Sequence, residues 1–424
     1  MTDTHEPTGA GDLRRRGFLR GAALSVGAVG AVAGGAAALA GGGTAAAATP
    51  APSGTPARPA APGFHGAHQA GIVEPVTQST AFLSFDVTAA DRRELTELLH
   101  TITERARFLA TGGTPAALGI TDSPSDSGTL GPRVPADGLM VTAGVGASLF
   151  DDRFGLGDRK PLRLSTMPAF DDDDLQPAWC HGDLSLQLSA PHADTVLHAV
   201  RDIARHTRGG MQVRWRMDGF TSPPRPSGTP RNHMGFKDGT SNPDVTDPAV
   251  ADRLLWVTGG GEPSWTTGGS YQVVRLIRML VEFWDRVSIT EQQRMFGRER
   301  DTGAPLDGAH EFDTPKFDQD PTGDIIPLDS HIRVANPRTA QSADSRLLRR
   351  GYNYDRGMDS NGNLDMGLIF VCYQQDLERQ FATVQKRLAG EPLVDYISPY
   401  GGGYFFALPG VRDRSDWLGS ALLA

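Results

Sequence analysis

The stretch STAFLSFDVTAADRRELTELLHTITERARFLA, residues 79–110, contains both of the periods from which the fold can be deduced. Its first nine residues alternate in the manner of a β-strand with one buried face. After residue 88 the apolar side chains recur at helical spacing, at Leu95, Leu98, Leu99, Ile102 and Ala106. A strand is therefore predicted to lead directly into an amphipathic helix.

Elements of the same two kinds continue to residue 220. Strand patterns begin at residue 138 and cover residues 183–190 and 211–220, and a helical pattern covers residues 192–207. The resulting order, β-α-β-β-α-β, is typical of a ferredoxin-like unit, in which helices cover one face of an antiparallel sheet. We expect residues 64–222 to form this N-terminal half.

The remainder of the chain repeats this order more loosely. Strands are predicted over residues 269–284, 363–374 and 402–410, and helices over residues 288–297 and 377–390. An insert without a strong period spans roughly residues 298–362, and long irregular inserts in compact domains are usually functional or disordered. The predicted fold class is therefore α+β, with a second ferredoxin-like half over residues 223–424.

Composition excludes several classes of function. The 424 residues include 41 Lys and Arg against 50 Asp and Glu, a formal net charge of -9 that argues against a general nucleic-acid-binding protein. Only two cysteines are present, Cys180 and Cys372, so neither a disulfide framework nor a cysteine-rich metal site is expected. A metal or cofactor would have to be held through histidine or carboxylate side chains.

The N-terminus has the layout of an export signal. Three consecutive arginines, residues 14–16, precede a Gly-Phe-Leu sequence, a mildly apolar run over residues 22–40 and a stretch of small residues. Adjacent arginines in this position are typical of the twin-arginine pathway. We expect a signal peptide over residues 1–48 and a flexible linker over residues 49–63, hence a secreted or periplasmic protein without stable membrane insertion after cleavage. A membrane anchor is disfavoured because the run is rich in glycine.

Three later segments contain residues suited to redox chemistry. His331, in SHIRVANPR (residues 330–338), is a candidate imidazole ligand beside arginines that suit anionic carboxylates, and a haem pocket needs both. Arg349 and Arg350, in LLRRGYNYDRG (residues 347–357), follow an apolar pair, and Asp238 lies in GFKDGTSNP (residues 235–243). A carboxylate above a haem can move a proton between peroxide oxygens while arginine stabilises the developing charge.

Seven segments together resemble the dye-decolourising peroxidases, and most of all the exported bacterial branch that includes the deferrochelatase/peroxidase of ferrous-iron uptake systems. The resemblance covers about residues 64–410. It implies a haem b cofactor that is bound mainly by the C-terminal half. The segments are FHGAHQAGI (64–72), CHGDL (180–184), GFKDGTSNP, SHIRVANPR, LLRRGYNYDRG, DMGLIFVCYQ (365–374) and PYGGGYFFALPG (399–410).

The resemblance also assigns roles to individual residues. It implies that Asp238 is the distal acid and that His331 is the proximal ligand of the iron. Arg349 matches the distal arginine better than Arg350, because it occupies the first position of the R-x-G-x-x-Y pattern.

The family further implies an acidic residue that hydrogen-bonds the proximal histidine and makes it a stronger donor. Asp395 is the candidate for this role, with Asp376 as the alternative. The other expected contacts with the cofactor are a propionate contact from Arg333, positions bordering the haem edge at Thr240 and Asn242, and an apolar wall of the distal pocket at Phe370.

The function expected from this resemblance is a secreted haem b peroxidase. It would use hydrogen peroxide to oxidise phenolic or dye-type one-electron donors through a ferryl intermediate. The alternative is a deferrochelatase that releases iron from haem and leaves the porphyrin intact. No nucleic-acid partner is expected, and the sequence leaves open whether the chain forms a homodimer. The acidic run DDDD, residues 171–174, is predicted to be a solvated loop.

Overall fold

The computed structural model describes residues 63–424. The predicted signal peptide and all but the last residue of the predicted linker lie outside these residues. Within them, the N-terminal half has the predicted β-α-β-β-α-β order. Its elements are β1 (Ser79–Val87), α1 (Arg92–Thr111), β2 (Met140–Gly146), β3 (Leu184–Ala190), α2 (Ala193–His206) and β4 (Met211–Phe220), with short 3₁₀ turns at Ala147–Phe150, Gly157–Arg159 and Pro177–Trp179.

The opening stretch of sequence forms the strand and helix that its periods predict. Asp91 caps α1, because its carboxylate accepts the N–H of Glu94 at 2.9 Å. The leucines at helical spacing are buried against the sheet, with Leu95 fully inaccessible. The strands pair antiparallel in the order β2-β3-β1-β4, which is the ferredoxin-like arrangement.

The C-terminal half contains more and shorter elements. Its strands and helices are α3 (Pro248–Leu254), β5 (Ser270–Met279), α4 (Val281–Trp284), α5 (Ile289–Phe296), α6 (His331–Ala335), α7 (Ala340–Ala343), β6 (Leu348–Arg349), β7 (Tyr352–Met358), β8 (Leu364–Gln374), a π-helical segment (Leu377–Ala382) that continues into α8 (Thr383–Leu388), β9 (Ile397–Ala407) and α9 (Ser420–Leu423), with 3₁₀ turns at Ser264–Thr266, Phe317–Gln319 and Pro392–Tyr396.

The C-terminal strands repeat the order of the N-terminal ones. They pair antiparallel as β9-β5-β8-β7, and β6 also pairs with β8. The two sets of strands join at two short contacts, β2 with β9 over three residue pairs and β4 with β7 through Phe220 and Asn353. Because β5 also pairs with β8, these contacts connect eight strands in a closed ring.

Three predicted elements differ in extent or kind. The strand predicted over residues 269–284 ends at Met279, because the chain turns into α4. The last strand begins at Ile397, five residues before the predicted start at residue 402. The predicted irregular insert contains β7, whose residues Tyr352 and Tyr354 are buried between the two sets of strands. Tyrosines at alternate positions can form the buried face of a strand. The polar residues between and after them make this alternation difficult to recognise in the sequence.

The remaining structural expectations concern cysteine and membrane segments. Cys180 and Cys372 are both buried and unpaired, in agreement with the absence of a disulfide framework. Among residues 63–424 no helix is both long enough and apolar enough to cross a bilayer.

Candidate active site

Asp238 is presented by a tight turn of the GFKDGTSNP segment. Gly235 and Gly239 adopt φ values of +85° and +95°, which favour glycine, and the backbone N–H of Asp238 donates to Pro230 O at 3.0 Å. The Oδ1 atom of Asp238 lies 3.3 Å from Nη1 of Arg349. Both side chains retain partial exposure, at 21% and 27%. The turn therefore holds a carboxylate that reaches both an arginine and open space.

Arg349 is held by its backbone, so its guanidinium is available for the site. Arg349 is the last residue of β6. The side-chain amide of Asn242 holds its backbone, because it donates to Arg349 O at 2.8 Å and accepts from Arg349 N at 3.0 Å. The neighbouring Arg350 is buried and does not line the cavity that contains Arg349, as the alternation of an extended chain requires. Gly351 leaves room for the acid, since a Cβ there would lie 3.2 Å from Asp238 Oδ2.

His331 is the first residue of α6 and forms a second pair with a carboxylate. Its Nδ1 lies 2.8 Å and 3.0 Å from the two carboxylate oxygens of Glu391, whose side chain is only 4% exposed. Burial lowers the pKa of the imidazole, but the charge and hydrogen bond of Glu391 outweigh this effect and raise the pKa overall. No described residue hydrogen-bonds Nε2, so this atom is available as a ligand.

These two pairs line one cavity. Asp238, Arg349, His331 and Glu391 all contribute to its surface. Much of the remaining wall is apolar, and the ring of Phe296 lies 6.0 Å from that of His331, centroid to centroid. Further apolar lining residues are Ile277, Met279, Leu347, Leu368, Phe370, Phe381 and Leu393. The cavity therefore offers a large apolar surface beside one free imidazole nitrogen.

Three further arginines give the cavity an unbalanced positive charge. Arg298, Arg338 and Arg346 all line it, and none forms an ion pair with a carboxylate of residues 63–424. Burial, together with the charges of Arg338 and Arg349, lowers the pKa of Arg298 to about 10. The Nε atom of Arg346 is buried without a hydrogen-bond partner in the described chain. Arg298 is buried, Arg346 is half-buried and Arg338 is exposed, and a buried arginine favours an anionic group on the ligand.

The structure places Arg333, the predicted propionate contact, outside the cavity. Its guanidinium donates to Asp320 Oδ2 at 3.2 Å and to Ile326 O at 2.8 Å, lies over the ring of Phe317, and does not line the cavity. The reason is helical geometry, because residues two apart on α6 point to different sides. Since His331 faces the cavity, Arg333 turns into the insert and stabilises it.

The predicted partner of His331 is also corrected. Asp395 is exposed and does not line the cavity, and the alternative Asp376 caps the π-helical segment and pairs with Arg163 at 2.5 Å. Glu391 takes the role instead. It follows Gly390, which has a φ of +72° where the chain leaves α8. A turn of this kind redirects the chain toward α6. No local sequence pattern reveals which acidic residue then lies next to His331.

The other predicted contacts are placed as follows. Thr240 and Phe370 line the cavity, and Thr240 Oγ1 also donates to Glu311 at 3.2 Å. Asn242 does not line the cavity and acts through the backbone of Arg349. The sequence interpretation missed Glu391, Arg298 and Arg346 as cavity residues. Arg338, one of the two arginines that the sequence places beside His331 as a candidate for binding carboxylates, does line the cavity.

Comparison with known proteins identifies the family. Residues 69–221 match the model of the N-terminal part of Dyp-type peroxidases, and residues 229–412 match the model of the C-terminal part. The chain belongs to the Dyp-type peroxidase family. It is therefore an oxidoreductase, a haem peroxidase that uses peroxide and a reductant, as the resemblance implied.

Several members of this family are closely similar to the chain. Proteins named deferrochelatase from Escherichia coli K12 and from Shigella boydii serotype 4 are each 52% identical over 366 residues, which are 85% of this chain and 86% of those proteins. The crystal structure of a DyP-type peroxidase from Cellulomonas bogoriensis is 38% identical with a TM-score of 0.75, and covers 85% of this chain and 97% of that one. An oxyferrous complex of DtpA from Streptomyces lividans is 35% identical with a TM-score of 0.77, covering 86% and 97%.

Proposed function

We propose that the cofactor is haem b, which His331 would hold through Nε2 and whose propionates Arg298, Arg338 and Arg346 would contact. The observation that carries this proposal is the shared cavity, in which a free imidazole nitrogen and an Asp238–Arg349 pair face the same apolar space. The arginines that lack a carboxylate partner support it, because the buried Arg298 and the half-buried Arg346 favour an anionic ligand.

In this proposal Asp238 and Arg349 each perform one part of the peroxide reaction. When bound, the haem supplies two electrons that cleave the O–O bond of hydrogen peroxide. Asp238 accepts the proton of one peroxide oxygen and returns it to the other, which leaves as water. Arg349, 3.3 Å from that carboxylate, stabilises negative charge as the bond breaks. Two electrons from phenolic or dye-type donors, one from each of two molecules, then restore the resting enzyme.

The absorption spectrum of the haem-reconstituted protein tests this assignment. We expect a Soret band that changes when peroxide is added and returns when a phenolic donor follows. His331→Ala should shift the resting spectrum, because the axial nitrogen is lost, whereas His310→Ala, a change at an imidazole of the insert that lies outside the cavity, should not. An unchanged resting spectrum in His331→Ala would reject His331 as the ligand.

Iron release from haem is a second candidate function, favoured by the 52% identity to proteins named deferrochelatase. The same cavity would bind haem as a substrate. An electron donor would keep the iron ferrous, the iron would leave as Fe²⁺, and two protons would take its place on the intact porphyrin. Metal-free protoporphyrin fluoresces, so the product is detected directly. Fluorescence that grows in proportion to haem supplied, with ferrous iron captured by a chelator, would support iron release. Sustained peroxide turnover without fluorescence would support the peroxidase alone.

We also propose that the protein is exported by the twin-arginine pathway and works outside the cytoplasm. The support is the arginine run at residues 14–16, the apolar run and the small-residue stretch that follow. Replacing both Arg15 and Arg16 by lysine keeps the charge but removes the arginine pair. We expect the precursor to accumulate in the cytoplasm of the host, measured by fractionation. Unchanged export of this variant would contradict the proposal.

A further inference from the structure

The acidic run at residues 171–174 is only in part the solvated loop that the sequence suggested, because Asp171 and Asp174 are exposed but the side chain of Asp173 is not. Asp173 has a side chain that is only 1% exposed, pairs with the equally buried Arg275 of β5, and accepts the N–H of Phe170 at 2.9 Å. The guanidinium of Arg275 also lies over the ring of Phe170, 5.3 Å from its centroid. Because a buried ion pair is costly to break, this contact anchors the loop firmly.

The same loop is fastened to the C-terminal half by its backbone. Asp174 N donates to Pro399 O at 2.9 Å, and Gln176 N donates to Tyr400 O at 2.8 Å. Both acceptors belong to β9. We call residues 170–176 the aspartate strap. It is a segment of the N-terminal half that is tied to the strands of the half that contains His331.

Asp172 projects from this strap to the cavity. Of all the residues that line the cavity in the described chain, it alone precedes residue 223. Its Oδ2 accepts the N–H of Gly390 at 3.3 Å. The next residue, Glu391, is the one whose carboxylate holds His331 Nδ1. Gly390 N, which Asp172 binds, therefore lies one residue before Glu391, which orients the imidazole of His331.

We propose that Asp172 is a positioning residue for the Glu391–His331 pair and that the Asp173–Arg275 ion pair holds it in place. Gly390 has a φ of +72° and carries no side chain that could pack. The N–H of Glu391 donates back to Leu388 O at 3.1 Å, and the contact from Asp172 ties this turn to the N-terminal half. The strength of the Glu391 hydrogen bond sets how strongly the imidazole donates to iron. Loosening the strap weakens that donation.

This inference rests on the proposed role of His331 as the haem ligand, and the test separates the two. Resonance Raman spectroscopy of the ferrous, haem-loaded protein measures the iron–histidine stretching band, and spectroelectrochemistry measures the reduction potential. Asp172→Ala should shift the band to lower frequency and the potential to a more positive value, in the direction of Glu391→Gln and by a smaller amount. Asp172→Asn, which keeps an acceptor oxygen, should remain close to wild type.

Asp171→Ala is the matched control, since Asp171 is exposed and does not line the cavity. A shifted band in Glu391→Gln with none in Asp172→Ala would overturn the positioning role and leave the proposed function intact. Equal shifts in Asp171→Ala and Asp172→Ala would also overturn it, because they would reflect charge alone. The absence of an iron–histidine band in the wild-type protein would overturn both proposals.

Discussion

The two charged pairs of the cavity differ in how tightly they are built. On one side, Glu391 is almost fully buried and both of its oxygens lie within 3.0 Å of His331 Nδ1. On the other, Asp238 and Arg349 meet at 3.3 Å through one pair of atoms, and each is at least one-fifth exposed. The first pair is suited to hold a geometry. The second is suited to exchange a proton, since its carboxylate keeps room for another partner.

This difference implies that substitutions on the two sides act on different measurements. Changes at Asp238 or Arg349 should alter the rate of reaction with peroxide and leave the resting spectrum nearly unchanged. Changes at Glu391 should alter the resting spectrum and the haem affinity as well. The first two of the four predictions below test this division.

The largest effect is expected for Asp238→Ala. Without the carboxylate no group moves the proton between peroxide oxygens, so the second-order rate constant with peroxide should fall by about 10²–10⁴-fold, the usual contribution of general acid–base catalysis. Stopped-flow absorbance measures this rate. Asp244→Ala, at an exposed acid of the same loop, should react like wild type. A loss in Arg349→Ala that far exceeds the loss in Asp238→Ala would show that charge stabilisation dominates.

A smaller effect is expected for Glu391→Gln. The amide oxygen still accepts from Nδ1, but the hydrogen bond loses its charge, so haem affinity or activity should fall by about 10–100-fold. The resting spectrum should change in this variant and not in Asp395→Asn, which tests the sequence-based candidate at the same time. If Asp395→Asn produced the larger change, the assignment of Glu391 as the partner of His331 would fail.

A still smaller loss of haem affinity is expected for substitutions of the arginines proposed to contact the propionates. Arg338→Ala removes one charge-assisted contact, worth about 1.5–3 kcal/mol, and should weaken haem binding by roughly 10–100-fold in a competition titration. Arg333→Ala is the control, because Arg333 binds Asp320 outside the cavity. We expect it to lower the melting temperature of the protein with little effect on haem affinity. The reverse pattern would restore Arg333 as the propionate contact.

The smallest effect is expected at Glu311, whose carboxylate accepts hydrogen bonds from Thr229 and Thr240 and pairs with Lys237, next to Asp238. Burial tends to raise the pKa of Glu311, but its hydrogen bonds to Thr229 and the nearby Lys237 outweigh burial and lower the pKa overall. A carboxyl with a lowered folded-state pKa stabilises the protein above its unfolded value of about 4.3 and loses that contribution as pH falls through the folded value.

Glu311→Gln should therefore be less stable than wild type at neutral pH, and the difference should shrink as the medium becomes acidic. Thermal melting between pH 7 and pH 3 measures it, with Glu299→Gln as the control in the same insert. A difference that stays constant across this range would show that Glu311 acts through packing and not through its charge.

Much of the cavity follows from short sequence segments. Asp238 lies in a glycine-rich turn, and Arg349 and Arg350 alternate on an extended segment, so local geometry already sends only one arginine toward the acid. His331 begins a short helix in an otherwise irregular insert. In each case the residues within a few positions determine the direction of the side chain, and a sequence contains that information directly.

The partners across the cavity do not follow from local sequence. Glu391 meets His331 only because Gly390 redirects the chain, and Asp172 reaches Gly390 only because Asp173 is buried against Arg275. In the sequence, Asp395 and Glu391 are equally near acids after the same helix, and four consecutive aspartates are identical in type. Burial and ion pairing distinguish them, and both depend on segments far away in the chain.

By itself the sequence determined the strand and helix periods and the order of elements in the N-terminal half, because these depend on local periodicity. Its short motifs, through the family that they resemble, indicated His331, Asp238 and Arg349. Only the tertiary structure decided where β7 lies, how the strands of the halves join in a ring, which acid orients His331, which arginines lack a carboxylate partner, and which aspartate of the strap is buried. The physical reason is that desolvation and charge pairing are properties of the folded surroundings of a side chain, and those surroundings come from residues that the sequence places far apart.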